Sequence, residues 1–203
     1  MNMFHLFPVG VGSRDLETPL TKQELAFLTG QTQRPNMGNT SSEDRYVLEK
    51  PEMKKFRAWI QTQVDSYFEE VYKPSSNVCL RITQSWTNHT EALRFHHKHA
   101  HPNSFVSGVF YIQTDASRDR IHFYRSGDWQ QLKITPRDYH ILNSESWWLE
   151  AVPGRLYLFP SSLTHMVETL PEGSETRISM SFNTFPVGVM GTEQELTALK
   201  LNR

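Results

Sequence analysis

Four of the nine histidines in this 203-residue chain fall within six residues, His96-His97-Lys98-His99-Ala100-His101, and Pro102-Asn103-Ser104 follows them. Side chains of an extended segment alternate faces, so His97, His99 and His101 are expected on one side and His96 on the other. Two imidazoles two residues apart on one face can serve a single metal ion as neighbouring ligands, and imidazole nitrogen suits Fe, Zn, Cu and Ni alike. A solvated loop is the competing reading for such a run; the closing proline and the apolar strand after it favour the metal. His165 comes after a later apolar run, and Arg177-x-Ser179 opens the next one. Arg177 and Ser179 would share a strand face, where a guanidinium beside a hydroxyl can clamp a carboxylate by charge-assisted hydrogen bonds.

These groups are far apart in sequence, and a closed two-sheet barrel is the architecture that brings distant strand ends to one mouth. Two ligands from one segment and one from a remote strand would cover one face of an octahedral ion. The opposite face stays open, as in non-haem Fe(II) oxygenases. The pattern along the chain supplies such a scaffold. Alternating runs at Val78–Trp86 and Phe105–Ile112, then Arg120–Tyr124, Leu156–Phe159, His165–Glu168 and Arg177–Phe182, with turns at Pro153-Gly154 and Pro171-Glu172-Gly173, argue for a sandwich or barrel and against alternating strands and helices. Met53, Phe56, Ile60, Val64, Tyr67 and Val71 recur at helical spacing, which predicts an amphipathic helix over 52–72 that Pro74 ends. A short helix over 21–29 is expected from a capping box of Thr21 and Glu24, with Gly30 stopping it. Residues 31–46 read as a long polar loop, Phe7–Val11 as an edge strand, and a last helix is expected near Thr192, which has Glu195 three residues on. The stretch 126–148, with Trp129, Tyr139, Trp147 and Trp148, is equally suited to a lid over the site and to covering a sheet edge.

Composition narrows the functional classes. Net charge is −1 with no basic run, so nucleic acid is a poor partner. The one cysteine, Cys79, excludes an internal disulfide and fits a reducing compartment. No apolar run reaches the roughly 20 residues that span a bilayer, and the first residues lack a signal peptide's basic start, so no membrane is expected and a cytoplasmic protein is. A single domain over 1–203 is expected, with helical support in 1–74, a core over about 77–185 and a tail over 186–203. A homodimer is compatible with all of this.

Taken jointly, the residues resemble a known family. Ser85-Trp86-Thr87-Asn88, His99-Ala100-His101-Pro102-Asn103-Ser104, Ser107-Gly108-Val109-Phe110-Tyr111, Pro153 to Ser161, His165 and Arg177 to Asn183 are similar, in that order, to the 2-oxoglutarate/Fe(II)-dependent oxygenases, in a group with a prolyl-hydroxylase-like double-stranded β-helix. The resemblance implies a mainly β, cupin-like jelly-roll core with flanking helices. It implies a dioxygenase that uses Fe(II) and 2-oxoglutarate to hydroxylate a C–H bond of an unidentified small-molecule or peptide substrate, releasing succinate and CO2. It implies His99, His101 and His165 as iron ligands, and Arg177 and Ser179 as the clamp for the distal carboxylate of 2-oxoglutarate. Tyr111 matches a tyrosine that assists this clamp. Ser107, Val109 and Tyr111 share a face of their strand, which turns Tyr111, and with it Ser107, toward the cavity. Trp86 and Asn88 are placed at its far wall.

The chain departs from the family at one ligand. Most members carry His-x-Asp or His-x-Glu where this sequence has His99-x-His101. Three neutral imidazoles leave the ion its whole 2+ charge, which lowers iron affinity and lets Zn, Ni or Co compete. Two other ligand pairs stay open: His101 with Asn103, an amide replacing the acid, and His97 with His99. Two other functions also stay open. A three-histidine cupin-type iron dioxygenase would not use 2-oxoglutarate and leaves Arg177-x-Ser179 idle; a non-catalytic metal-binding β-sandwich would have a filled coordination sphere.

Overall fold

The computed structural model describes residues 1–74, 77–127, 132 and 134–202. In chain order its elements are β1 (Gly12–Asp15), α1 (Lys22–Thr29), β2 (Gln33–Pro35), β3 (Thr40–Ser42), α2 (Lys54–Tyr72), β4 (Val78–Thr90), β5 (His96–His99), β6 (Val106–Gln113), β7 (Arg120–Tyr124), β8 (Ser146–Glu150), β9 (Arg155–Pro160), β10 (His165–Val167), β11 (Arg177–Met190) and β12 (Leu199–Leu201). The strands form two antiparallel sheets. The larger runs β1-β9-β6-β11-β4-β3-β2 with β12 alongside β11, and the smaller runs β5-β10-β7-β8. This is the expected jelly-roll.

Alternation along the strands explains where the core sits. On β6, Val106 and Phe110 face a cluster that includes Phe56, Ile60 and Val64 of α2, while Val109 and Tyr111 join Ile121, Phe123, Tyr157 and Phe159 between the sheets. One face of the large sheet is therefore plated by helices, and the other looks at the small sheet. On β11, Met180 and Phe182 belong to the helix-side cluster, so by alternation Arg177, Ser179, Ser181 and Asn183 take the inner face. On β4 the parity changes partway. Thr184 pairs with Ile82 but Asn183 pairs with Gln84, which leaves Thr83 as an extra residue. That bulge lets Leu80 and Ile82 face the helices while Trp86, Asn88 and Thr90 face the cavity.

The helix over 21–29 forms with both bonds of its capping box: Thr21 N donates to Glu24 Oε2 at 2.8 Å, and Glu24 N to Thr21 Oγ1 at 3.2 Å. α2 is preceded by a 3-10 turn, Pro51–Met53, and its buried stripe ends with Phe68, so Val71 is exposed. Three expectations are corrected, and the choice left open for 126–148 is narrowed. Phe7–Val11 is not a strand; the edge strand begins at Gly12 and pairs with β9. The polar stretch 31–46 holds the hairpin β2–β3, which extends the large sheet. Its strands carry no apolar alternation because hydroxyls hold the join: Thr87 N donates to Ser42 Oγ at 3.0 Å, and Ser42 Oγ donates to Asp44 O at 2.7 Å. No helix starts at Thr192. Glu195 N does donate to Thr192 Oγ1 at 3.2 Å, half of a capping box, but Thr192 N donates to Thr197 Oγ1 instead of to the Glu195 carboxylate; no apolar stripe follows, Leu196 is exposed, and the chain turns back to pair β12 with β11. Trp147 and Trp148 lie in β8, the edge strand of the small sheet, rather than in a loop over the cavity, and the Arg120 guanidinium covers Trp148 at 4.6 Å. Trp129 falls outside the described residues. Among the described residues no helix is long and apolar enough to cross a membrane.

Candidate active site

His99 closes β5 and His165 opens β10, and the two are register partners. His101 lies two residues past β5, where His101 N donates to Ser161 O at 2.9 Å. The three rings come within 4.4 to 5.0 Å of one another, centroid to centroid. In each ring Nδ1 already has an acceptor: His97 O at 2.7 Å for His99, Leu163 O at 2.9 Å for His165, and Asn183 Oδ1 at 2.7 Å for His101. A carbonyl oxygen can only accept, so Nδ1 carries the proton and Nε2 keeps its lone pair. One ligand atom from each of the three residues lies within 4.8 Å of the others. His99 Nε2 and His101 Nε2 are 3.1 Å apart. Neighbouring nitrogens about 2.1 Å from one octahedral ion would be roughly 3.0 Å apart. Two facing lone pairs at that distance repel unless a cation lies between them, so the donor set fits a divalent metal.

Burial keeps these rings unprotonated. It is the main cause that lowers His101 to about 4 and His165 to about 3; the neighbouring His99 imidazole adds to both. His99 is lowered for the same first reason. Near neutral pH all three are neutral ligands.

Arg177, the first residue of β11, is almost wholly buried, yet its Nη1 has no hydrogen-bond partner, and Nη2 reaches only Thr90 Oγ1 at 3.5 Å. No carboxylate pairs with it among the described residues. Burial draws its pKa down, while Tyr111 and Asp119 act the other way. Leaving a guanidinium donor buried and unpaired is costly, and a ligand carboxylate would remove that cost. Ser179 and Tyr111, register partners on β11 and β6, line the same cavity as Arg177 and the three histidines. Trp86 and Asn88 form part of its wall, as expected, with Asn88 Nδ2 donating to Ser181 Oγ at 3.0 Å.

Three positions differ from the sequence reading. Ser107 is not in the cavity wall; its Oγ lies 2.8 Å from His101 Nδ1, 2.8 Å from Asn183 Oδ1 and 2.7 Å from Ser161 Oγ, behind the imidazole. Asn103 sits in a left-handed turn (φ 55°) and is exposed. His96 does not point away from His99: their rings stack at 4.7 Å, and His96 lines the cavity. The cause is a register slip. His165 pairs with His99 but Val167 pairs with His96, so β5 spends three residues where β10 spends two. The odd residue returns His96 to the face of His99. Asn183 was not singled out from sequence as a support for His101. The signal was there: Arg177, Ser179, Ser181 and Asn183 are polar at every second position of an otherwise apolar strand.

Residues 84–183 match the family described as "Putative 2OG-Fe(II) oxygenase". No curated protein matches the chain. Among solved structures, the chain is similar to a prolyl hydroxylase from Trichoplax adhaerens in complex with a hypoxia-inducible-factor oxygen degradation domain peptide fragment. The identity is 12%, the match covers 87% of this chain and 83% of that one, and the TM-score is 0.58. A Pseudomonas putida prolyl-4-hydroxylase is 14% identical over 86% of this chain and 92% of its own, with a TM-score of 0.55. HygX from Streptomyces hygroscopicus, with nickel, 2-oxoglutarate and hygromycin B bound, is 8% identical over 87% and 82%, with a TM-score of 0.58. The fold and the family match define an oxidoreductase built on a jelly-roll. The match over residues 84–183, with this fold, supports membership of the 2-oxoglutarate/Fe(II) oxygenase superfamily.

Proposed function

We propose that this chain is an Fe(II)- and 2-oxoglutarate-dependent dioxygenase in which His99, His101 and His165 hold the metal through Nε2. Arg177, with Ser179 and Tyr111, binds the distal carboxylate of 2-oxoglutarate. The reaction inserts one oxygen atom of O2 into a substrate C–H bond and the other into 2-oxoglutarate, so that RH, 2-oxoglutarate and O2 give ROH, succinate and CO2. The bound metal and 2-oxoglutarate supply the oxidising chemistry; the chain supplies orientation and a dry, charged pocket. The observation that carries this reading is a buried guanidinium with an unsatisfied Nη1, in the same cavity as three imidazoles whose Nε2 lone pairs converge.

Each residue has a defined task in this reading. The three Nδ1–H bonds lock the ring tautomers before any ion arrives. Arg177 fixes one end of the co-substrate by a charge-assisted pair, which sets the distance at which its keto-acid end meets the metal. Trp86 and Asn88 bound the side left for substrate. The superfamily neighbours bind a peptide in one case and hygromycin B in another, and this chain is assigned a substrate of peptide or small-molecule class.

Anaerobic addition of Fe(II) and then 2-oxoglutarate tests the assignment. A visible metal-to-ligand charge-transfer band is expected with wild type. It should be lost in Arg177→Ala at 2-oxoglutarate concentrations that saturate the parent, with metal content retained. A silent spectrum with tightly held zinc would overturn the reading.

A further inference from the structure

His99 belongs to a second group of three histidines. One ligand atom from each of His96, His97 and His99 lies within 4.8 Å of the others, the same closeness as the triad with His101 and His165. We propose that His96, His97 and His99 form an outer divalent-cation site, selective for borderline ions such as Zn2+ or Ni2+, that excludes occupation of the inner site. This inference rests on the ligand set assigned under Proposed function.

Three observations carry it. First, the register slip in β5 is what brings His96 into the group; with regular alternation it would point away from His99. The rings sit at centroid distances of 4.7 Å for His96 and His99, 4.5 Å for His97 and His99, and 5.3 Å for His96 and His97. Nitrogens sharing a tetrahedral ion at about 2.0–2.1 Å lie roughly 3.4 Å apart, so small ring rotations close the set. Second, the two triads compete for one atom. His99 Nδ1 is tied to His97 O at 2.7 Å, which leaves Nε2 as the only free nitrogen of that ring. A cation held by His96 and His97 through His99 Nε2 removes that ligand from His101 and His165. Third, the outer group has no other occupation that accounts for it. The His96 imidazole stacks on the rings of His97 and His99 and makes no side-chain hydrogen bond among the described residues. His97 is half-buried, and its Nδ1 lies 3.2 Å from Met37 O, so its Nε2 remains available. All-imidazole donors without a carboxylate favour Zn, Ni or Cu over Mg or Ca.

The consequence is a chain that binds one cation in two alternative places, of which only the inner one lies between His101 and His165, in the cavity that Arg177 and Ser179 line. An ion captured outside is a dead end, or must pass inward by exchange at His99.

The test is zinc stoichiometry, read by elemental analysis after gel filtration, with circular dichroism to report the fold. The His101→Gln/His165→Gln variant of the full chain is expected to keep about one Zn2+ per chain. Adding His97→Ala to it should remove the zinc, with at least a tenfold rise in Kd. His97→Ala alone should keep its metal on the inner ligands. If the double variant loses its fold, His101→Ala, whose ring is only part-buried, replaces it in the same comparison. A folded double variant that binds no zinc, or a triple variant that still binds it, overturns the outer site. Loss of metal from His97→Ala alone would instead overturn the inner ligand assignment, and mutual exclusion with it.

Discussion

His101 stands where most of the superfamily places a carboxylate, and its surroundings are adapted to a neutral ligand. Asn183 Oδ1 and Ser107 Oγ both meet its Nδ1, at 2.7 and 2.8 Å. An amide carbonyl fixes the tautomer but adds no charge. Two substitutions separate these effects. Asn183→Leu removes the principal acceptor, and metal affinity should fall by about 10- to 100-fold, the usual cost of losing such a support. Asn183→Asp keeps the acceptor and makes it anionic, which raises imidazole basicity, so metal should bind more tightly than in the parent. Metal titration followed by competition with a chelator reads both; an Asp variant weaker than the parent would show that Asn183 does not act through His101. Arg177 is a second case of a group whose surroundings await a charge. Replacing it with Ala removes one partner of a buried charged pair, a loss of at least about 2 kcal/mol, or roughly thirtyfold in the Kd for 2-oxoglutarate. Isothermal titration in the presence of an inert divalent metal should show that loss with metal affinity unchanged.

At the scale of elements, the site depends on strand parity, and parity is what the sequence disclosed only in part. Alternation along β6 as far as Tyr111, beyond which Ile112 is an extra residue against β11, and along β11 puts Tyr111, Arg177 and Ser179 on one face, and the polar residue at every second position of β11 made that legible. The irregularities in β4 and β5 were not readable in the same way. Thr83 in β4 and the slip in β5 each shift the face of everything beyond them, and a bulge leaves no mark in hydrophobic pattern when the neighbours are polar, as His96 to His99 are. The hairpin β2–β3 was hidden for a related reason: its strands are held by Ser and Thr hydroxyls rather than by an apolar face. The C-terminal turn shows the converse error, since Thr192 accepts from Glu195 N as a helix cap would, with no buried stripe to extend it. Close packing gives this scale its own prediction. Gly108 on β6 faces the Phe182 ring, and a Cβ there would collide with it and lie 3.0 Å from Leu158 Cδ2. Gly108→Ala should destabilise by about 1–3 kcal/mol through overpacking. For a chain of this size that is a Tm lower by roughly 2–12 °C, with β6 displaced and Tyr111 moved from Arg177. Thermal unfolding followed by circular dichroism checks it, and an unchanged Tm would mean the ring moves aside freely.

The whole molecule is two sheets that meet across the site. His99 and His165 belong to the small sheet, Arg177 and Ser179 to the large one, and His101 lies between, backed by Ser107 and Asn183 of the large sheet. Metal bound by all three histidines therefore links the small sheet to the loop anchored on the large one. 2-Oxoglutarate held by both the metal and Arg177 would make a second link. A ligand that binds only the folded state stabilises it by mass action, by about 2.7 kcal/mol at a hundred times its Kd. Ordered addition should then raise Tm in two steps, first with the metal and again with 2-oxoglutarate, each by roughly 5–10 °C at that excess. Stripping the metal with a chelator should reverse both steps together, because the second ligand needs the first. Arg177→Ala should keep the first step and lose the second, while His165→Gln should lose the second and keep a first step only from a cation held by His96, His97 and His99, provided each unliganded variant melts cooperatively. Differential scanning measurements under nitrogen make that comparison without turnover. A second step that survives Arg177→Ala would place the carboxylate elsewhere, and would leave the buried guanidinium as a structural charge rather than the anchor that joins the two sheets through a shared co-substrate.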